Sequence, residues 1–225
     1  MIKSALCAVL LSFVSALTIQ AGTLVQNFSD VSYWVGSGEN QTVLIIDWQD
    51  GKNAPGQTAG EAIAWGFRWS AGQNPTGKDM LEAIAAADPR LELRLVYRSF
   101  GPIVFGLGYD LDGDGGSFTF DPMYEQGGAS DPNDHFAEGW AEAGFWWYKG
   151  GKTASSSLPG WMDATEGFAT RRLQNNGWEA WVFSNDIDEF DVPDPSIALA
   201  AVPEPSSAAL LVCGAVFLIR RRSRP

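Results

Sequence analysis

The sequence is poor in the residues that many enzymatic chemistries use. Of 225 residues one is histidine, His135, and two are cysteine, Cys7 and Cys213. Lysine and arginine number 15 against 27 aspartates and glutamates, a formal net charge of −12. A single imidazole removes most zinc sites and most triads that use histidine as base. The shortage of cations argues against nucleic acid, whose phosphates require a basic face. Disorder is excluded by a 45% hydrophobic and 12% aromatic composition. Both cysteines fall in the terminal segments, so the part between them has no disulfide or thiol chemistry. Its stability comes from packing, with a metal ion as the other available source.

The two ends read as addresses. Lys3 precedes an apolar run from Ala5 to Ile19, followed by Gln20-Ala21-Gly22. A charged start, a short greasy stretch and a small residue form a secretory signal over residues 1–21, cleaved after Ala21 or, alternatively, after Ala16. At the other end Val202-Pro203-Glu204-Pro205-Ser206 precedes an apolar stretch, Ala208 to Ile219, and then Arg220, Arg221, Arg222 and Arg224. From Ser206 the greasy part makes roughly 21 Å of helix. That is short for a bilayer core of roughly 30 Å unless the arginine stems snorkel or the bilayer thins. The arginines stay cytoplasmic, which places the chain before them outside the inner membrane.

This order of parts resembles the PEP-CTERM sorting tail of Gram-negative bacteria, in which a VPEP motif, a short hydrophobic segment and an arginine cluster follow one another. The resemblance covers Val202 to Pro225. It implies export, transient membrane anchoring through Arg220, Arg221 and Arg222, and recognition by an exosortase that cuts near Pro203-Glu204-Pro205. It also implies a final place at the cell surface or in exopolysaccharide. A plain single-span anchor is the alternative. Removing Lys3 and the tail arginines leaves ten cations, and removing Glu204 leaves 26 anions, a net of about −16. Such a charge suits a soluble surface protein and repels anionic polymers unless cations bridge them.

Residues 22–190 show no low-complexity linker and read as one exported domain, with a proline-containing stalk over 191–201. Strand signals dominate: Thr42 to Trp48, Ile63 to Trp69, the alternating Leu91-Glu92-Leu93-Arg94-Leu95, Ile103 to Tyr109, Ser117 to Phe120, Phe145 to Lys149 and Trp178 to Phe183. One helix is signposted. Thr76 caps it, Asp79 completes a capping box, Met80, Leu81, Ile84 and Ala87 share a face, and Asp88-Pro89 ends it. The fold class is α+β and β-rich: a single domain of antiparallel strands with one main amphipathic helix, β-sandwich being the alternative. Trp65 to Phe183 resembles the β-grasp module of the transcobalamin C-terminus and related exported bacterial domains. The pieces carrying the resemblance are Thr76-Gly77-Lys78-Asp79-Met80-Leu81-Glu82-Ala83-Ile84, Gly144-Phe145-Trp146-Trp147-Tyr148 and Gly177-Trp178-Glu179-Ala180-Trp181. Lys149-Gly150-Gly151 and Asn175-Asn176-Gly177 depart from that module's turns.

The sharpest chemical motif is Asp110-Leu111-Asp112-Gly113-Asp114-Gly115-Gly116 with Asp121 beyond it. Counting Asp110 as position 1, carboxylates fall at 1, 3, 5 and 12 and glycine at 6, the spacing of a calcium loop. Asp110, Asp112, Asp114 and Asp121 are therefore the expected calcium ligands. Strands rather than helices flank the loop, and Asp121 is shorter than the usual closing glutamate. Ten tryptophans form the second feature. Most belong to a core that has no cysteine, since each ring buries 150–250 Å² in such settings. Trp140, Trp147 and Trp161 are the expected ligand-binding minority, placed to stack on sugar rings. Acids abundant enough for glycoside hydrolysis are present (Glu138, Glu142, Glu166, Glu179), but no motif selects a pair. His135, within Asp131-Pro132-Asn133-Asp134-His135, reads as a solvated loop residue.

The expectation is a non-enzymatic, exported surface or exopolysaccharide-associated protein processed by an exosortase. A carbohydrate- or small-ligand-binding module using exposed tryptophans is the first alternative, and a matrix glycan hydrolase the second. Partners are the exosortase, the membrane through the tail, extracellular polysaccharide, and no nucleic acid. Epitope labelling of intact cells is expected to reach the folded body outside the inner membrane; finding it in the cytosol contradicts this reading.

Overall fold

The computed structural model describes residues 22–54, 57, 59–121, 127–139, 144–152, 158–185 and 192–203. The signal segment, Trp140, Glu204, Pro205, the apolar tail and Arg220, Arg221 and Arg222 lie outside the described residues. Among the described residues no helix is long and apolar enough to cross a membrane.

The run expected around Thr42–Trp48 forms β2 (Asn40–Asp47), preceded by a short β1 (Trp34–Gly36). It turns into β3 (Ala62–Trp69), antiparallel to β2 from Asn40 opposite Trp69 to Asp47 opposite Ala62. Next comes α1 (Gly77–Ala87). A hairpin of β4 (Leu91–Arg98) and β5 (Gly101–Tyr109) follows, then the two short strands β6 (Phe118–Thr119) and β7 (Gly128–Ala129), and then β8 (His135–Glu138). The chain returns through β9 (Phe145–Lys152), β10 (Gly160–Asp163), β11 (Gly177–Ser184) and β12 (Leu199–Ala200). The large sheet is ordered β1-β3-β2-β11-β9-β10, with β12 also on β3; β4-β5-β8 and β6-β7 form separate small sheets.

The architecture is α+β and β-rich, as the sequence indicates. The large sheet is mixed, however, where antiparallel strands are expected. β1 and β12 run parallel to β3, and β2 runs parallel to β11, with Thr42 opposite Gly177. The reason lies in the connection: more than a hundred residues, including the helix, separate β2 from β11, and a crossover of that size permits parallel return.

β2 and β11 are buried on both faces, which is why their sequences read as continuous apolar runs rather than alternations. Leu44, Ile46, Trp65, Trp146, Tyr148, Trp181 and Phe183 face Met80, Leu81 and Ile84 of α1 together with Leu91, Val104 and Leu107 of the hairpin sheet. On the other face Val43, Ile45, Ala64, Trp178 and Ala180 meet Val25, Phe28, Val31, Ala198 and Ala200.

That second face corrects the stalk. Residues 192–203 lie along the sheet instead of standing off from it. Val192 and Ala198–Ala201 are buried, Lys149 Nζ donates to the Val192 carbonyl at 2.8 Å, and the Ser196 amide donates to buried Asp47 at 2.6 Å. A sheet face made of Val43, Ile45 and Trp178 needs an apolar cover, and this segment together with Val25 and Phe28 supplies it. Its prolines keep it extended while it packs. Val202, the first residue of the VPEP motif, is tied down as well, its carbonyl accepting from the Arg90 guanidinium; Pro203 follows, exposed.

The helix is capped as expected. Thr76 Oγ1 accepts from the Asp79 amide at 3.2 Å, and Asp79 accepts from the Thr76 amide at 2.8 Å. At its end the fully buried Asp88 accepts from Trp65 Nε1 at 2.9 Å and pairs with Arg90 at 3.3 Å, joining helix, sheet and hairpin. Replacing Asp88 by alanine leaves a buried indole N–H without its acceptor and removes the carboxylate paired with Arg90, whose guanidinium still donates to the Val202 carbonyl. Asp88→Ala is expected to cost about 3 kcal/mol in urea unfolding.

Candidate functional site

Two acidic loops converge beyond the end of β5. The first, Asp110–Gly116, is wrapped around its own carboxylates. Asp110 is buried and accepts from the Gly113 amide at 2.7 Å and the Gly115 amide at 2.9 Å, while Asp112 accepts from the Asp114 amide at 3.2 Å. Gly113 and Gly115 have φ of +75° and +95°, which glycine adopts without a Cβ penalty. The second loop, Asp131–Asp134, leads into β8. Asp134 is fully buried; its Oδ1 accepts from the Leu111 amide at 2.9 Å, and its Oδ2 has no hydrogen-bond partner.

One carboxylate oxygen from each of Asp110, Asp112 and Asp134 lies within 4.8 Å of the others, and the same holds for Asp112, Asp114 and Asp131. Asp114 is exposed, and its carboxyl is raised above the usual range mainly by the charge of Asp112. Burial pushes the Asp134 carboxyl up to about 6, against the opposing Leu111 hydrogen bond.

Asp112 groups with Asp110 in one set and with Asp114 in the other, so the three loop aspartates do not gather in one group as the spacing expects, and Asp121 belongs to neither. The cause is aromatic. Phe118 and Phe120 lie on a glycine stripe of β5, where a methyl at Gly108 or Gly106 would come within 2.5 and 2.4 Å of their rings. Phe136 of β8 packs on both, at 6.3 and 5.3 Å. The chain therefore runs back along β5 and delivers Asp121 to Glu138, whose Oε2 accepts the Asp121 amide at 2.9 Å. In place of position 12, Asp131 and Asp134 close the ring of carboxylates. The sequence signal for them is an acidic Asp-Pro-Asn-Asp turn directly before a short alternating strand.

His135 is likewise corrected: it is the first residue of β8 and fully buried. Its ring stacks on Trp48 at 4.7 Å and 10°, with Nδ1 at 3.0 Å from Asp50 and Nε2 at 2.6 Å from the Gly60 carbonyl. Lys52 Nζ donates to the Asp134 backbone carbonyl. This cluster fixes the second acidic loop to the core.

A second feature is a cleft of ≈ 420 Å³ between the hairpin sheet and the large sheet, lined in part by Phe100, Trp146, Tyr148, Glu166, Phe168 and Trp181. Trp181 stacks on Tyr148 at 4.8 Å and meets Phe168 edge-on at 5.1 Å. The indole N–H groups of Trp146 and Trp181 are buried and have no acceptor among the described residues. Phe100, at the tip of the β4–β5 hairpin, is 70% exposed. Burial first, and the charge of Glu179 second, hold the Tyr148 phenol well above its usual range.

Of the expected tryptophan trio, half-buried Trp147 is among the residues that line this cleft, half-buried Trp161 packs on the core of the other sheet face, opposite Gly151 in register, and Trp140 lies outside the described residues. Trp48, Trp65 and Trp178 are fully buried, in line with a core role for most of the rings. Of the candidate acids, Glu179 is buried and bonded to Arg171 at 3.0 Å, Glu138 takes the Asp121 amide, and Glu166 is exposed at the cleft; Glu142 is outside the described residues.

No protein family, curated protein or solved structure matches the chain.

The glycine stripe generates a test of how the acidic loop is held. Gly108→Ala forces the Phe118 ring to move and is expected to cost about 1–3 kcal/mol in unfolding free energy. Amides of residues 110–116 should exchange faster in that variant, while those of β2 keep their wild-type order of protection.

Proposed function

We propose that this is an exported surface protein whose folded body is a non-catalytic, saccharide-binding module. The observation that carries the reading is the aromatic cleft: ≈ 420 Å³ walled by Trp146, Tyr148, Phe168 and Trp181, with Phe100 exposed above it. Its volume falls in the range of small-molecule sites, and its lining combines aromatic side chains with polar groups. Apolar ring faces suit the C–H faces of a pyranose. Glu166, Thr165 and Thr170 at the same cleft offer hydrogen bonds to hydroxyls. A net charge of about −16 on the exported part favours a neutral glycan over an anionic one.

Sorting rests on the terminal segments. The signal over residues 1–21 and the Val202–Pro205 motif, apolar run and Arg220–Arg222 cluster support export, transient anchoring and exosortase processing, with a final place on the cell surface or in exopolysaccharide. The β-grasp resemblance also finds support. Within the large sheet β3-β2-β11-β9 runs second-first-fourth-third, with the first and last strands parallel and α1 following the first pair, which is the β-grasp order.

Calorimetric titration of the purified protein with neutral oligosaccharides tests the binding role. Binding is expected, and Phe100→Ala, exposed and outside the core, should weaken it about tenfold, a loss of about 1.4 kcal/mol. No heat with any neutral or acidic oligosaccharide would remove the binding role and leave a structural surface protein.

A further inference from the structure

We propose that Asp110 and Asp112 of the first acidic loop and Asp134 of the second bind one calcium ion, so that the cation links two loops that the sequence separates. The proposal does not depend on the cleft, and the three ligands line no part of it.

The first support is convergence. An oxygen from each of the three carboxylates lies within 4.8 Å of the others, although Asp134 is 22 residues beyond Asp112. An ion that holds oxygens at 2.3–2.6 Å fits among atoms so spaced. The second support is independent of the cluster. Asp134 is 0% exposed, and among the described residues no donor of the protein satisfies its Oδ2. A buried carboxylate oxygen left so is expensive, and native structures rarely keep one without a partner. This oxygen lies inside the curve of the first loop, where a Cβ on Gly116 would be only 2.0 Å from it. Glycine at 116 is thus what admits the Asp134 carboxylate to the loop.

No protein cation fills the role. Among the described residues, none of Asp110, Asp112, Asp114, Asp131 and Asp134 is ion-paired with a lysine or arginine. The nearest ammonium, Lys52, is committed to the backbone carbonyl of Asp134 and to Asp50. The donor set names the metal. Carboxylates without thiolate or imidazole select a hard cation over zinc or copper. Ligands borne on two loops suit the flexible coordination of calcium better than the near-ideal octahedron that magnesium demands. Asp131 and Asp114, which group with the shared Asp112, complete an anionic rim outside the three ligands.

The position gives the ion a structural consequence. Asp134 immediately precedes His135, whose ring is stacked on Trp48 of the core, so an ion held by Asp134 ties the exposed first loop to the sheet. Asp121 takes no part, because its strand is seated on the glycine stripe next to Glu138.

The test uses the purified full-length chain, stripped with chelator and titrated with calcium chloride. Calorimetry is expected to show saturable binding with a Kd of about 10⁻⁴ to 10⁻³ M, the range of extracellular modules. At about 10 mM calcium the melting temperature should rise by about 3–10 °C. Asp134→Asn should weaken binding at least tenfold, and Asp112→Asn, a half-exposed position, should do the same and serves as the readout if the buried variant does not fold. Asp121→Asn should bind as wild type. No heat and no thermal shift at 10 mM calcium would overturn the proposal. So would an Asp121→Asn variant as weak as Asp112→Asn, and an equal shift with magnesium chloride would overturn the assignment to calcium.

Discussion

The parallel pairing of β2 with β11 is the constraint on which the rest of the molecule depends. Six residue pairs, from Thr42 opposite Gly177 to Asp47 opposite Val182, join chain segments some 135 residues apart. Both strands are apolar on both faces, so neither face tolerates water. One is covered by α1 and the hairpin sheet, the other by the first and last segments of the body. No disulfide takes part among the described residues, because both cysteines, Cys7 and Cys213, lie outside them. Burial of Leu44, Ile46 and Trp181 on one side and Val43, Ile45 and Trp178 on the other is what holds the halves together.

That double cover explains where function can reside. α1 and the β4–β5–β8 sheet share one face of the large sheet without filling it, and the gap between the hairpin and Trp146, Tyr148 and Trp181 is the aromatic cleft. The far end of the hairpin sheet carries β5 into the first acidic loop and receives β8 from the second. A single small sheet thus presents an aromatic cleft near one end and a carboxylate cluster near the other. The buried pair of Asp88 with Arg90, and the Trp65 indole on the same carboxylate, fix that sheet to the helix.

Much of the fold was legible because it is local. Val43–Ile46, Ile63–Trp69 and Trp178–Phe183 announce buried strands by composition alone, and Thr76 with Asp79 announces the helix by a two-residue hydrogen-bonding device. What the sequence does not carry is pairing at long range. The four residues of β8 are a weak signal, and only the partner strand β5 makes them a strand and buries His135. The calcium-loop count picks out Asp110, Asp112 and Asp114 in one tight turn, yet Asp114 groups with Asp112 and Asp131 rather than with Asp110. Asp121 falls outside both carboxylate groups because of the path the chain takes beyond that turn. Here Phe118 and Phe120 turn it back over Gly108 and Gly106, and the closing carboxylates come from another loop. The prolines of 192–203 signal extension, yet extension does not distinguish a free spacer from a strand-like cover. The apolar Ala198–Ala201 decides for the cover.

Native-state amide exchange followed residue by residue tests the central claim most directly. If the doubly covered parallel pair holds the body together, the amides of Val43–Ile46 and Ala180–Val182 exchange as one group, slowest in the molecule, through global unfolding. The hairpin sheet and its acidic loops then open at lower cost without disturbing that group. Exchange of β2 and β11 at clearly different rates, or a hairpin sheet more protected than either, would contradict the account.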